Sequence, residues 1–264
     1  MTQIGVFAVT HKQPALAKPA ANDFPPMFVG HVKADLPPGP ATDEVTQPHI
    51  AFKNKHYSEL TALYQIINAD FNRDYDVIGL IHYRRVFLMN TGLGAKLIQY
   101  LMRKNKDPYH WGYHVISKYE LQQKDVATWI ERGYDVILPR KWKYTRGSLF
   151  NQYQKTHEIK YLLLCKEVIE KNHPDYLPAF EQAMGIREGY FFNMIIGKKQ
   201  VVSDYGHWLF SVLFALESLV KLDELTGYEV RLFGFLSERL MNVYFIHHAH
   251  LKIKELDVVL YSHL

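Results

Sequence analysis

Two polar clusters sit directly behind short apolar runs. Ile4–Val9 leads into Thr10-His11-Lys12, and Val77–Ile81 leads into His82-Tyr83-Arg84-Arg85. Such runs are the pattern of buried parallel strands, and open α/β sheets bind ligands beyond the carboxyl ends of their strands. Adjacent arginines at a strand end are costly to bury unless an anion or a carboxylate meets them. Guanidinium forks match phosphate oxygens bidentately, so a diphosphate is one natural partner. A salt-bridge cluster tying two segments together is the other, and residue type leaves both open. A third grouping lies near the C-terminus. Arg231, Gly234, Glu238 and Asn242 fall on one face of a helix, with Leu232, Phe233, Phe235, Leu236, Leu240 and Met241 around them. A carboxylate in that setting has a raised pKa, which suits a general base, unless Arg231 or Arg239 compensates it in an ion pair. Gly234, one turn before Glu238, is expected to leave open space beside it.

Other candidates carry less. Asp74-Tyr75-Asp76 has the Asp-x-Asp form used by metal-dependent sugar-nucleotide enzymes, but it precedes its strand and reads as a solvated turn. The 14 histidines, among them His247, His248 and His250, show no His-Glu-x-x-His spacing and read as surface and core residues. There is no phosphate-binding glycine loop and no Gly-x-Ser-x-Gly elbow. The single cysteine, Cys165, excludes a disulfide framework and a multi-cysteine metal site, and its apolar surroundings predict an inert core thiol.

The elements that must position these groups alternate between helix and strand. Helices are predicted over 56–68, 92–106, 121–131, 157–171, 204–221 and 229–247, and further strands over 136–138 and 190–196, the last with Asn193 in its middle. The final helix is expected to begin with a capping box from Thr226 to Glu229. Tyr-Asp-Val-Ile occurs at 75–78 and again at 134–137, as though two strands entered one sheet alike. The stretch 13–48 is proline-rich and reads as a covering loop. This order predicts an α/β fold with a mostly parallel central sheet flanked by helices. The 264 residues are 48% hydrophobic and 14% aromatic, enough for a sizeable core and incompatible with disorder. A net charge of +4 without a dense basic run or reader motif argues against nucleic acid. No signal peptide or bilayer-length apolar stretch is visible, so a cytoplasmic location is expected. The helix at 92–106 carries Lys96, Arg103, Lys104 and Lys106 and no acid, and reads either as a solvated face or as a peripheral contact with the inner face of the membrane.

Several stretches then resemble the DUF4422 family of bacterial glycosyltransferases. They are Tyr57-Ser58-Glu59-Leu60-Thr61-Ala62-Leu63-Tyr64, Asp76-Val77-Ile78-Gly79-Leu80-Ile81-His82-Tyr83-Arg84-Arg85, Val136-Ile137-Leu138-Pro139-Arg140-Lys141, Thr156-His157-Glu158-Ile159, Tyr176-Leu177-Pro178-Ala179-Phe180 and Phe233-Gly234-Phe235-Leu236-Ser237-Glu238-Arg239-Leu240-Met241-Asn242-Val243. The resemblance covers nearly the whole chain. It departs at 41–56, where the acidic and Gly-Asp-Asn elements of many relatives are largely missing.

The resemblance implies a GT-A-like nucleotide-diphospho-sugar transferase fold in one domain, 1–264. Residues 1–90 would be the nucleotide-sugar half, 91–125 a basic helical insertion and 126–264 the acceptor-side half. It implies a hexosyltransferase moving a sugar from a UDP-sugar, with UDP-galactofuranose a candidate, onto a growing lipid-linked capsule, exopolysaccharide or lipopolysaccharide. A non-catalytic sugar-binding or scaffolding protein of the same machinery is the alternative. Glu238 would be the base, and Arg84, Arg85 and His82 would meet the departing diphosphate. Thr10, His11, Lys12, Glu59, Thr61, His157, Asn193, Arg239 and Asn242 would contact substrate, Asn193 through a sugar hydroxyl. Cations where GT-A enzymes place their metal-binding Asp-x-Asp favour metal-independent chemistry without excluding manganese or magnesium.

Overall fold

The computed structural model describes residues 2–12, 23–31, 36, 41–89 and 119–260. The predicted helix at 92–106 lies outside them. Ten strands are described: β1 (Ile4–Thr10), β2 (Pro26–Phe28), β3 (Ala41–Thr42), β4 (Val77–His82), β5 (Arg85–Leu88), β6 (Val136–Pro139), β7 (Trp142–Lys143), β8 (Glu188–Gly189), β9 (Ile195–Lys198) and β10 (Ile253–Leu260). The helices are α1 (Asn54–Tyr57), α2 (Leu60–Ile66), α3 (Gln123–Glu131), α4 (Leu149–Thr156), α5 (Ile159–Asn172), α6 (Leu177–Gly185), α7 (Lys199–Glu217) and α8 (Leu232–His247). None of them is long and apolar enough to cross a membrane.

Eight strands form one sheet in the order β3-β2-β1-β4-β5-β10-β6-β9. The pairs β1–β2, β1–β4, β2–β3 and β6–β10 are parallel, whereas β4–β5, β5–β10, β4–β9 and β6–β9 are antiparallel. The sheet is therefore mixed, and the expectation of a mostly parallel one is corrected. Two features cause this. The His82-Tyr83-Arg84-Arg85 motif is a hairpin turn rather than a strand end leading to a helix, since His82 pairs with Arg85. β9 also inserts antiparallel between β4 and β6, setting Ile78 against Gly197 and Ile137 against Ile196. The two Tyr-Asp-Val-Ile copies thus flank the same strand. Part of the proline-rich stretch contributes edge strands β2 and β3 rather than loop alone. Continuous pairing from β1 to β9 draws both halves of the chain into a single sheet.

The insertion of β9 requires a close backbone approach. A Cβ on Gly79 would collide with the Ile195 carbonyl oxygen and lie 2.7 Å from the Ile196 Cα. Gly79→Ala is expected to cost on the order of 3 kcal/mol by forcing β4 and β9 apart, read as a lower denaturant midpoint.

Helices cover the sheet. Tyr57, Leu60, Leu63, Phe210, Leu213, Phe233 and Leu240 join α1, α2, α7 and α8 in the larger core, where Tyr57 stacks on Phe233 at 4.4 Å. Cys165 is buried there and its thiol is pushed up to about 12 by burial, an inert group as expected. Val6, Ile81, Val126, Ile137 and Leu256 form a smaller core around β1, β4, β6, β10 and α3. Helix α8 starts at Leu232 after a 3-10 turn over Gly227–Arg231. The expected capping box is not formed, because the Glu229 carboxylate meets His157 Nδ1 at 3.0 Å instead.

Candidate functional site

A break in the chain builds one wall of the site. Ser58 takes φ 52°, an uncommon left-handed conformation for a residue with a side chain. The helix predicted over 56–68 is thereby divided into α1 and α2, and Glu59 is turned inward. Asn54 Nδ2 holds the break by donating to the Ser58 carbonyl at 2.8 Å, and Arg231 Nε donates to Ser58 Oγ at 2.9 Å. Thr61 lies beneath it, 2.5 Å from the Asp43 carboxylate and accepting from Asn54 at 3.0 Å.

Asn193 is the hub of the site. Its Nδ2 donates to Glu59 Oε1 at 2.7 Å and to the Gly234 carbonyl at 2.9 Å, and its Oδ1 accepts from Ser237 Oγ at 2.8 Å. Asn193 lies before β9 rather than inside a strand. With both amide hydrogens engaged and the residue buried, it positions Glu59 against α8 instead of facing a sugar hydroxyl. Asn193→Asp, nearly isosteric, would oppose a second carboxylate to Glu59. Its stability is expected to fall by on the order of 3 kcal/mol near neutral pH and to recover as acid protonates the pair, measured as melting temperature against pH.

Glu59 Oε1 lies 3.9 Å from His82 Nε2, and Glu59 Oε2 lies 3.7 Å from Arg231 Nη2. Burial alone would push the Glu59 carboxyl up, but His82, the Asn193 amide and Arg231 hold it below its ordinary value. Burial drives His82 down to about 4, with help from Arg85, Arg231 and Arg84, against the pull of Glu59. His82 is therefore neutral near pH 7, and there the Asn193 amide and Arg231 are what steady the Glu59 charge.

The opposite wall is helix α8. Glu238 has 20% of its side chain exposed, and Arg239 Nη1 donates to its Oε2 at 2.8 Å. Desolvation still dominates and raises Glu238 to about 8, with Glu59 adding to the rise and Arg239, Arg85 and Arg231 opposing it. The ion pair and the raised pKa thus coexist. Arg239 is itself buried, fixed by the Phe235 carbonyl and Gln152, and stacked over Tyr153.

The two strand-end clusters meet on the Tyr83 ring. The Tyr83 amide donates to the Val9 carbonyl at 3.1 Å, the His11 ring packs edge-on to it at 5.4 Å, and Lys12 Nζ and the Arg84 guanidinium lie 5.9 and 5.3 Å from its centroid. Arg85 lies over Phe192 at 4.8 Å. Among the described residues no carboxylate lies within ion-pair distance of Arg84 or Arg85, whereas Arg231 and Arg239 each have one. Burial and the neighbouring cations Arg84 and Lys12 depress the His11 pKa. The arrangement is a basic mouth at the ends of β1 and β4, and Arg85 brings it within electrostatic reach of the Glu238 carboxyl.

A family model described as a domain of unknown function, DUF4422, matches residues 5–249. The chain belongs to the DUF4422 family. Its fold is similar to the solved structure titled "WbbM bifunctional glycosyltransferase apo structure", with a TM-score of 0.80 and 27% sequence identity over 99% of this chain. This DUF4422 chain spans 46% of that larger protein. No curated protein sequence matches it.

Within this DUF4422 fold the predicted residues divide. His11, Lys12, Arg84 and Arg85 form the mouth, Thr10 lies buried at the end of β1, His82, Glu59 and Glu238 interact electrostatically with Arg85, and Arg239 is buried against Glu238. Thr61, Asn193 and Asn242 are buried supports, Asn242 bonding both backbone groups of Tyr190 at 2.8 and 3.0 Å. His157 lies apart, 4.3 Å from Phe235 and bound to Glu229. Gly234 faces Ser58 at ordinary contact distance, so it fits α8 against the Ser58 break rather than leaving room for a ligand. Arg231, from the stripe expected near the C-terminus, joins the cluster, and Ser58 and Ser237 complete it although they are legible in the sequence only as members of quoted motifs. Asp74-Tyr75-Asp76 does sit at the amino end of β4, Asp76 accepting from the Gln3 amide at 2.9 Å. His248 Nε2 lies 2.8 Å from the Tyr176 hydroxyl, and His247 stacks on Tyr176. Among the described residues no group of three or more His, Cys, Asp or Glu side chains is arranged to hold a metal. A groove lined by Ile50, Lys53, Tyr64, Phe214 and Glu217 is internally satisfied, because Lys53 and the Tyr57 hydroxyl both bond Glu217.

Proposed function

We infer that this chain is a glycosyltransferase that moves a sugar from a UDP-sugar to an acceptor hydroxyl. The observation that carries the reading is Glu238, its pKa raised to about 8, within electrostatic reach of Arg85, which like its neighbour Arg84 has no carboxylate ion-pair partner among the described residues. Likeness to a glycosyltransferase structure supports it. The acceptor hydroxyl gives its proton to Glu238 Oε as its oxygen bonds to the anomeric carbon. The bond from that carbon to the diphosphate oxygen breaks, and the charge growing on the diphosphate is met by Arg84 and Arg85. Direct displacement inverts the anomeric centre. Glu59, Asn193 and Ser237 hold the two walls in register, and neutral His82 adds no competing charge.

Charge also supports metal independence, since cations occupy the position facing the diphosphate. The donor candidate is UDP-galactofuranose and the acceptor a lipid-linked bacterial surface polysaccharide, made at the cytoplasmic face of the membrane. Residues 1–90 serve the nucleotide and 126–264 the acceptor.

A thermal-shift panel of UDP, GDP, CMP and UDP-sugars, with and without manganese, tests this. A ligand at about a hundred times its Kd adds roughly 2.7 kcal/mol to stability. The expected result is stabilisation by UDP and UDP-sugars without manganese. Silence with every nucleotide favours a non-catalytic sugar-binding or scaffolding protein instead.

A further inference from the structure

Apart from the main sheet stands a short two-stranded ribbon whose strands are distant in sequence. β7 pairs with β8 apart from the main sheet, with Trp142 opposite Gly189 and Lys143 opposite Glu188. The segment from Arg140 to Arg146 reads Arg-Lys-Trp-Lys-Tyr-Thr-Arg, four cations and no acid. Trp142 is 65% exposed, whereas Trp129 is half-buried and Trp208 buried. Lys143 and Arg146 are exposed and make no ion pair among the described residues. The ribbon is tied to α8 through its second strand and the residues after it. Trp142 meets Phe191 edge-on at 6.1 Å, Phe191 lies 5.6 Å from the Arg239 guanidinium, and Asn242 on α8 clamps the backbone of Tyr190. Lys141 is folded back over Tyr190 at 5.3 Å, and Arg140 is paired with Asp257 at 2.6 Å, so Lys143, Arg146 and Trp142 are the groups left to face outward.

An exposed indole flanked by unpaired cations has the chemistry of a membrane interface. The ring sits among headgroups while the cations meet anionic lipid, each adding to the attraction. We propose that the Trp142 ribbon docks this chain on an anionic lipid bilayer. Through Phe191 and Arg239 the docked ribbon sets the Glu238 carboxyl toward the headgroups, where a membrane-borne acceptor would present its hydroxyl. The inference goes beyond the glycosyltransferase reading and does not require it. Nor does it rest on the basic stretch 92–106, which lies outside the described residues.

The test is vesicle flotation with the full chain, using phosphatidylglycerol–phosphatidylcholine vesicles, pure phosphatidylcholine vesicles and soluble dextran sulfate. The native chain is expected to float with the anionic vesicles, less as salt rises, and to remain behind with phosphatidylcholine alone. Each cation removed weakens binding about fivefold, so Lys143→Glu with Arg146→Glu abolishes flotation. Trp142→Phe weakens flotation and removes a blue-shifted component of the emission that vesicles induce and dextran sulfate does not. Circular dichroism and UDP-induced thermal stabilisation are expected to be unchanged in all variants, which separates this surface from the nucleotide site. Failure of the native chain to float, equal flotation with neutral vesicles, full flotation of the double variant, or emission changes identical with dextran sulfate would each overturn the proposal.

Discussion

Glu238→Gln is expected to lower kcat by a hundredfold to ten-thousandfold while leaving the affinity for UDP within a few-fold of native, because the proposed mechanism loses only its proton acceptor. The reason lies in the competition around this carboxyl. Desolvation on α8 raises it to about 8 and wins over the three arginines that oppose the rise. A base must be ionised, so kcat/KM of the native enzyme rises with pH and levels off above about 8. Arg239→Met removes the nearest opposing cation and moves that limb to higher pH; Glu59→Gln removes the carboxylate that adds to the rise and moves it lower. Stability gives a readout independent of activity. A group raised in the folded state stabilises it below its unfolded pKa and loses that contribution as pH climbs through the folded value. Glu238→Gln should therefore match native stability near pH 4 and exceed it by a few kcal/mol near pH 9, measured by denaturant midpoint.

The second large effect is at the hairpin turn of β4 and β5. Arg84→Ala and Arg85→Ala are each expected to lower kcat by about a hundredfold to a thousandfold, since in the proposed mechanism each removes a charged donor to the departing diphosphate. The losses should be less than multiplicative in the double variant, because both arginines act on one leaving group. Arg→Lys at either position recovers the charge but not the fork, so partial activity returns. Both side chains rest on aromatic rings and neither closes an ion pair among the described residues, so folding should change by no more than about 1–2 kcal/mol.

What the sequence made legible follows from how local each signal is. β1, β4 and β6 are continuous apolar runs, and their ends emerge within a residue or two of the observed bounds. The polar clusters behind β1 and β4, and Glu238 on its helix, were visible because residue type and helical offset are both local. Three things were not. Ser58 has no glycine or proline to announce its positive φ, and the tertiary hold of Asn54 and Arg231 imposes it. The antiparallel insertion of β9 depends on Gly79 and Gly197 allowing close approach to strands distant in sequence. The resemblance implied a sugar contact for Asn193, but nothing local announces the bonds it makes to Glu59 and Ser237, which come from two separate helical regions. Long-range pairing decided all three.

The most direct test of the central claim is a calorimetric titration of UDP into the native chain and into the Arg84→Ala, Arg85→Ala double variant, both in excess chelator. Binding by the native chain without added metal, lost in the double variant, is the predicted result. Binding that appears only when manganese replaces the chelator, or that survives unchanged in the double variant, would contradict an arginine-based diphosphate site.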